Sequence, residues 1–260
     1  GPETAETWTA GFDYRSDGGL VLSASYFDTR FNDRIERPTS GNLANILTDP
    51  ALAPFVRLVD AANNPEDLAL VKSYITAPGF GFGSLFPPSS FGAILDGRWL
   101  NTASVRVRGL DLSARYPIDL GGGVMTLDAA ASWLLDYEIQ MTPAAAVRSV
   151  LDQVGYPTSL RLRAGVTWSR EDLSGSLHWS HVSDYEDDIG AKIDAWNTAD
   201  FMLTWRPSAG RLAGLSLSLG VQNLFDADPP FHNSRTGYGF DPGQANQLGR
   251  VASLQLIRRW

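Results

Sequence analysis

Between Val124 and Glu138 the chain alternates with a period of two. Met125, Leu127, Ala129, Ala131, Trp133, Leu135 and Tyr137 form one set, and Thr126, Asp128, Ser132, Asp136 and Glu138 the other. Side chains of a strand point alternately to its two faces, so this segment predicts a β-strand with one apolar and one polar face. The pattern recurs in Trp8, Ala10, Phe12 and Tyr14, then in Leu20, Leu22, Ala24 and Tyr26, and in Leu110, Leu112, Ala114 and Tyr116. Leu160, Leu162, Ala164, Val166 and Trp168 follow, then Leu173, Leu177 and Trp179, then Ala199, Phe201, Leu203 and Trp205. Leu215, Leu217, Leu219 and Val221 form the eighth set, and Leu254, Leu256 and Trp260 the ninth. Nine antiparallel strands are therefore predicted.

Five of these strands close on an aromatic: Tyr14, Tyr116, Trp168, Trp205 and Trp260. Tyr and Trp combine an apolar body with a polar tip, so a ring of them at one level marks a membrane interface. Short turns are expected after strands one, three, five and seven, and long connections at roughly residues 32–102, 140–158, 183–192 and 226–248. Short turns on one side and long loops on the other is the asymmetry of outer-membrane barrels, whose short side is periplasmic. Tyr26, Tyr137 and Trp179 are placed for a second girdle on the long-loop side.

The strand ending at Tyr116 is less regular, because its parity turns Arg106 and Arg108 to the apolar face. Either Gly109 hosts a bulge that shifts the register, or the arginines stand at the outer interface. We favour the second, since about ten tilted residues cross an apolar band. In the first long connection, Asp49-Pro50 and Asn64-Pro65 each read as an N-cap followed by proline. They predict short helices over residues 50–61 and 65–75.

Composition narrows the classes. A net charge of −8 argues against a nucleic-acid partner, which requires a basic surface. The chain has no Cys, which excludes disulfides, thiolate zinc sites and Cys nucleophiles. There is no apolar run long enough for a transmembrane helix. The polar start, Gly1-Pro2-Glu3-Thr4, shows no leader, so the chain is expected to be soluble or the later part of something longer.

With these residues in place, the chain resembles the C-terminal part of the barrel domain of a TonB-dependent outer-membrane receptor. The resemblance rests on the opening Pro2-Glu3-Thr4-Ala5-Glu6-Thr7-Trp8 with Gly11-Phe12, and on Tyr26-Phe27-Asp28 with Asp33-Arg34-Ile35. Val107-Arg108-Gly109-Leu110-Asp111 and Asn223-Leu224-Phe225-Asp226 with Pro229-Pro230 also carry it. Tyr238, Asp241-Pro242 and Leu248-Gly249-Arg250 complete it, so that it spans nearly the whole chain. It implies an all-β fold: an antiparallel transmembrane β-barrel segment of nine strands, the last part of a 22-stranded barrel. The short helices would lie in one long extracellular loop, and the plug domain and TonB box would lie outside this chain.

The same resemblance implies an outer-membrane location in a Gram-negative bacterium and uptake of a siderophore, vitamin or glycan, with TonB and outer-membrane lipid as partners. The barrel-assembly machinery would read Trp260, Leu256 and Leu254, although Arg258 occupies a slot usually apolar. The alternative is a passive porin-like or adhesive barrel without a plug. An outer-membrane enzyme would need a catalytic constellation, and none is evident. A soluble β-sandwich would instead bury Trp133, Trp168 and Trp205.

Candidate ligand contacts are few. Phe80, Phe82, Phe86 and Phe91 either grip an apolar ligand or pack the loop against its own helices. Arg161 and Arg163 on the polar face either line a path for anionic cargo or simply face water. His178 and His181 are three residues apart on a strand, so they face opposite sides and cannot share a metal. Asp184, Glu186, Asp187 and Asp188 could hold Ca²⁺, but a solvated acidic loop is the simpler reading. His232 lies in the last long connection with no evident partner, so a solvated loop side chain is expected. No catalytic residue, cofactor or metal site is expected.

Overall fold

A computed structural model describes residues 1–39, 46–79, 85–143, 145–234 and 237–259. In chain order the strands are β1 Thr4–Arg15, β2 Val21–Glu36, β3 Val56–Leu58, β4 Ala93–Leu95, β5 Leu100–Leu120, β6 Gly123–Gln140 and β7 Arg148–Ser149. There follow β8 Leu160–Arg170, β9 Leu173–Val182, β10 Tyr185–Glu186, β11 Lys192–Ile193, β12 Trp196–Trp205, β13 Leu215–Gln222 and β14 Val251–Arg258. One α-helix, α1, spans Pro65–Ile75. Among the described residues no helix is long and apolar enough to cross a membrane.

The nine long strands form one sheet in the order β1-β2-β5-β6-β8-β9-β12-β13-β14, and β7 pairs with β6. Each long strand thus lies beside its neighbour in sequence, as the nine alternating segments predict. The register carries the alternation from strand to strand. Leu127 lies opposite Val166, which lies opposite Leu177, Phe201, Val221 and Ala252 in turn across β6, β8, β9, β12, β13 and β14. A row three residues away runs through Ser174, Thr204, Ser218 and Gln255. The first row belongs to the apolar face and the second to the polar face, as a period of two requires.

Tight turns set this register. Gly121 and Gly122, between β5 and β6, both have positive φ (+59° and +77°), the geometry of a two-residue hairpin turn that matches strand twist. Between β1 and β2, Ser16 Oγ accepts from Leu20 N (3.1 Å).

Among the described residues the apolar face has no core against it. Trp8, Leu254 and Leu256 are 76%, 72% and 66% exposed, and Trp133 and Trp205 are exposed while Trp168 is half-buried. A soluble sandwich would bury these rings, so that expectation is not met.

The chain divides into two compact units. One comprises Gly1–Ala5, Phe31–Val105 and Ile139–Arg148, and the other Glu6–Arg30, Arg106–Glu138 and Ser149–Trp260. In the first, Asn64 caps α1 by accepting from Glu66 N (2.9 Å), with Pro65 in the first turn. Its buried Val71, with Leu68 and Ile75, packs on Val59 and Ala61.

The other helix expected there is shorter than residues 50–61. Only Pro50–Phe55 is helical, as a 3-10 turn capped by Asp49, whose side chain accepts from Ala51 N (2.9 Å). Pro54 lies inside the turn and lacks an N–H to extend it. Val56 then enters β3, which pairs with β4 through Val56 and Leu95.

Candidate functional site

The polar face of the second unit carries a row of polar residues around one glycine. Asp128 lies opposite Gly165, and Gly165 opposite His178, which in turn lies opposite Asp200. A side chain at Gly165 would collide with the His178 ring. The missing Cβ lets His178 Nε2 reach within 3.7 Å of Asp128 Oδ1. Arg163 Nη1 donates to Ser180 Oγ (3.1 Å) and lies 3.6 Å from Asp200 Oδ2. Asp200 Oδ1 accepts from Asn223 N (3.0 Å). Arg163 is therefore held by Ser180 on the next strand and by Asp200 on the strand beyond it. Sequence reasoning missed Asp128 and Asp200, whose one signal is the alternation that puts them, with His178, on the Arg163 face. His181 lies on the other face, with Nδ1 2.8 Å from Asn197 Oδ1 and its ring 5.6 Å from Trp179.

Arg161 reaches out of the sheet to Gln244 Oε1, and Gln244 Nε2 donates to the Tyr156 carbonyl (3.0 Å). Val154 N donates to Glu186 O, and Glu186 N to Asp152 O, both at 2.8 Å. Tyr185 donates its hydroxyl hydrogen to Asp241 Oδ2 (3.1 Å), with both residues buried. Asp241 Oδ1 accepts from Gly243 N (2.9 Å). Three long connections are thus joined by hydrogen bonds. Burial first, and then the Asp241 charge, pushes the Tyr185 hydroxyl pKa above its ordinary value.

The acidic stretch nearby is already occupied with itself. Asp187 Oδ1 accepts from Ile189 N (3.0 Å) and Ala191 N (2.8 Å), while Lys192 Nζ lies 3.3 Å from Asp184. Among the described residues no three His, Cys, Asp or Glu side chains gather as a metal-binding group.

In the first unit, Phe91 packs with Ile94 against the Val59, Ala61 and Val71 cluster. The structure thus places Phe91 with the loop's own core. Phe86 is exposed, whereas Phe80 and Phe82 lie outside the described residues. The aromatic that sequence reasoning missed is Trp99, which is 67% exposed. Arg37 lies over its ring at 5.8 Å and donates from Nε to the Gly97 carbonyl (2.8 Å). Beside it, Arg98 Nη2 pairs with Asp96 Oδ2 at 2.6 Å and holds the Asp96 carboxyl down at about 2. The signal for this surface was the charged Asp96-Gly97-Arg98 run before Trp99.

The strand-end aromatics stand on the apolar face. Tyr14, Tyr116 and Trp205 are exposed. Trp168 lies opposite Gly175 and Gly175 opposite Leu203, so Trp205 stands two residues beyond Trp168. Tilted strands need such a stagger to keep one level. Trp168 Nε1 lies 3.0 Å from where a Gly123 Cβ would sit, so the indole leans toward the short turn. Leu254 and Leu256 continue the apolar face opposite Leu219 and Leu217, and Arg258 lies opposite Leu215. Trp260 lies outside the described residues.

The arginines of β5 also resolve. Thr7 Oγ1 and Thr29 Oγ1 are 3.1 Å apart, which sets the odd residues of β2 on the polar face and Asp28 beside Tyr26 on the other. Arg106 grips Asp28 with Nη2 to Oδ2 at 2.6 Å, so it faces the apolar side. A Cβ at Gly109 would meet Phe27 and Leu134, so Gly109 faces the polar side. The two therefore keep the parity of β5 without a bulge at Gly109. Arg108 pairs with Asp136, so the alternation of β6 slips between Leu134 and Asp136. Tyr137 correspondingly meets the loop ring of Tyr156 at 6.0 Å.

Residues 1–224 match the family described as TonB dependent receptor-like, beta-barrel. None of the curated proteins matches the chain. Among solved structures, a mutant ferric enterobactin receptor from Pseudomonas aeruginosa is similar, with 18% identity and a TM-score of 0.59 over 98% of this chain and 31% of that one. The ferric-catecholate import receptor Fiu from E. coli is similar at 16% identity and TM-score 0.52, over 99% of this chain and 28% of that one. The FrpB iron transporter from Neisseria meningitidis is similar at 14% identity and TM-score 0.56, over 98% and 30%. This chain spans about a third of the length of such structures.

Proposed function

Because the chain belongs to the TonB-dependent receptor family, matching its β-barrel over most of its length, we propose that it serves in the outer membrane of a Gram-negative bacterium as part of an uptake receptor. It would supply the last nine strands of a 22-stranded wall, roughly two-fifths of the circumference, together with four outer loops. The observation that carries this reading is the single sheet, whose apolar row from Leu127 to Ala252 faces no protein core. Lipid is the apolar phase such a face requires.

In the intact protein, TonB would act on a plug inside the barrel, and the barrel-assembly machinery would read the terminal Leu254, Leu256 and Trp260. A ferric siderophore is the cargo class favoured by similarity to receptors named for ferric enterobactin and ferric catecholates. Exposed Trp99 and Phe86, with Arg37 and Arg98 beside Trp99, offer ring and guanidinium surfaces to an anionic, ring-bearing chelate. Arg161 and Arg163, on the polar face, would meet such cargo further in.

The test is growth of a deletion strain with a ferric siderophore as the sole iron source. Loss of growth on deletion, and equal loss when TonB is removed, is the expected result. Growth that depends on this gene but persists without TonB would favour the passive porin-like barrel.

A further inference from the structure

We propose that Arg30, Arg106 and Arg108 form a binding site for the phosphate of an outer-leaflet lipid headgroup on the outward face of the wall. The proposal rests on the membrane reading above. Asp28 shares the Tyr26 face, and Arg106 reaches it with Nε to Oδ1 at 3.1 Å and Nη2 to Oδ2 at 2.6 Å. Arg108 holds Asp136 from the next strand. Arg30 follows Asp28 by two residues on the same face and is exposed. Charged groups on a face otherwise made of Leu, Ala and Trp need a polar medium at their level.

Their height supplies one. Arg106 and Tyr116 are both on β5, and ten tilted residues rise about 25 Å, the height of the apolar band. If Tyr116 marks the inner interface, Arg106 and Arg108 stand where the outer headgroups begin. Arginine suits that place, because its planar fork matches phosphate oxygens in pairs. Asp28 takes two of the five N–H donors of Arg106, which leaves the remainder of a positioned fork. The aspartates hold the forks in place before lipid arrives.

The test uses the intact receptor purified in mild detergent, with bisphosphorylated lipid A, the same lipid dephosphorylated, and inorganic phosphate as probes. Bound lipid is counted by native mass spectrometry, and heat-modifiable gel migration reports folding. The wild type is expected to retain the phosphorylated lipid in preference to the dephosphorylated one. Arg106→Gln with Arg108→Gln is expected to lower that retention about ten-fold. Equal retention by this variant, equal binding of dephosphorylated lipid, or displacement by millimolar inorganic phosphate would each overturn the site. Should the Gln pair fail to fold, Arg106→Lys with Arg108→Lys decides, since it keeps charge but loses the planar fork. A several-fold loss there supports the site, and unchanged retention overturns it. Uptake that persists while lipid retention fails sinks this inference alone, whereas a wild-type chain absent from the membrane fraction sinks the reading beneath it.

Discussion

The imidazole of His178 occupies the space that a Cβ on Gly165 would fill, and from there it approaches Asp128 on the strand beyond. Gly165→Ala should therefore overpack the polar face and destabilise the intact protein by about 1–3 kcal/mol. His178→Ala removes the opposing ring, so Gly165→Ala should cost much less in that background. Urea unfolding of the four proteins in lipid vesicles measures the coupling, and additive effects would show that the two residues do not interact.

Neighbouring residues of β12 test which face would meet lipid. Phe201 lies in the apolar row opposite Val221, and Met202 points the other way, opposite Gly220 and Ser176. Phe201→Arg is expected to cost about 2–4 kcal/mol in vesicles, and Met202→Arg less than about 1 kcal/mol. Equal costs would contradict the assignment of the two faces.

The buried Tyr185 and Asp241 pair should show in alkaline titration. A raised folded pKa means that the stabilisation is fully present below the ordinary value of 10.0 and declines as pH rises above it. Hydrogen exchange of residues 183–195 should therefore accelerate above that pH in the wild type. Tyr185→Phe should remove this pH dependence, and at neutral pH it should loosen the segment by about 1–3 kcal/mol, because Asp241 loses a donor. An unchanged alkaline profile in the variant would show that another group controls the segment.

The cap of α1 offers a local measurement. Asn64 Oδ1 accepts from Glu66 N at 2.9 Å and Asp67 N at 3.5 Å. Asn64→Ala should weaken the helix by about 1 kcal/mol, roughly five-fold in its opening equilibrium. Faster amide exchange confined to α1 is the expected signature, with Asn64→Ser close to wild type.

The nine-stranded sheet was legible along the chain. Period-two alternation, strand-end aromatics and glycine turns are local signals, and because each long strand pairs with its sequence neighbour, local order sufficed to place all nine. The cap of α1 was legible for the same reason, since Asn64 and Pro65 act within one turn. Tertiary structure decided what depends on distant partners. Residues 56–58 became a strand because residues 93–95 pair with them, and Phe91 joined a core supplied by α1. The break in β6 alternation became visible only once Arg108 met Asp136 from a neighbouring strand. Alternation names the faces of one strand, but only pairing between strands and loops reveals which charges and rings come together on them.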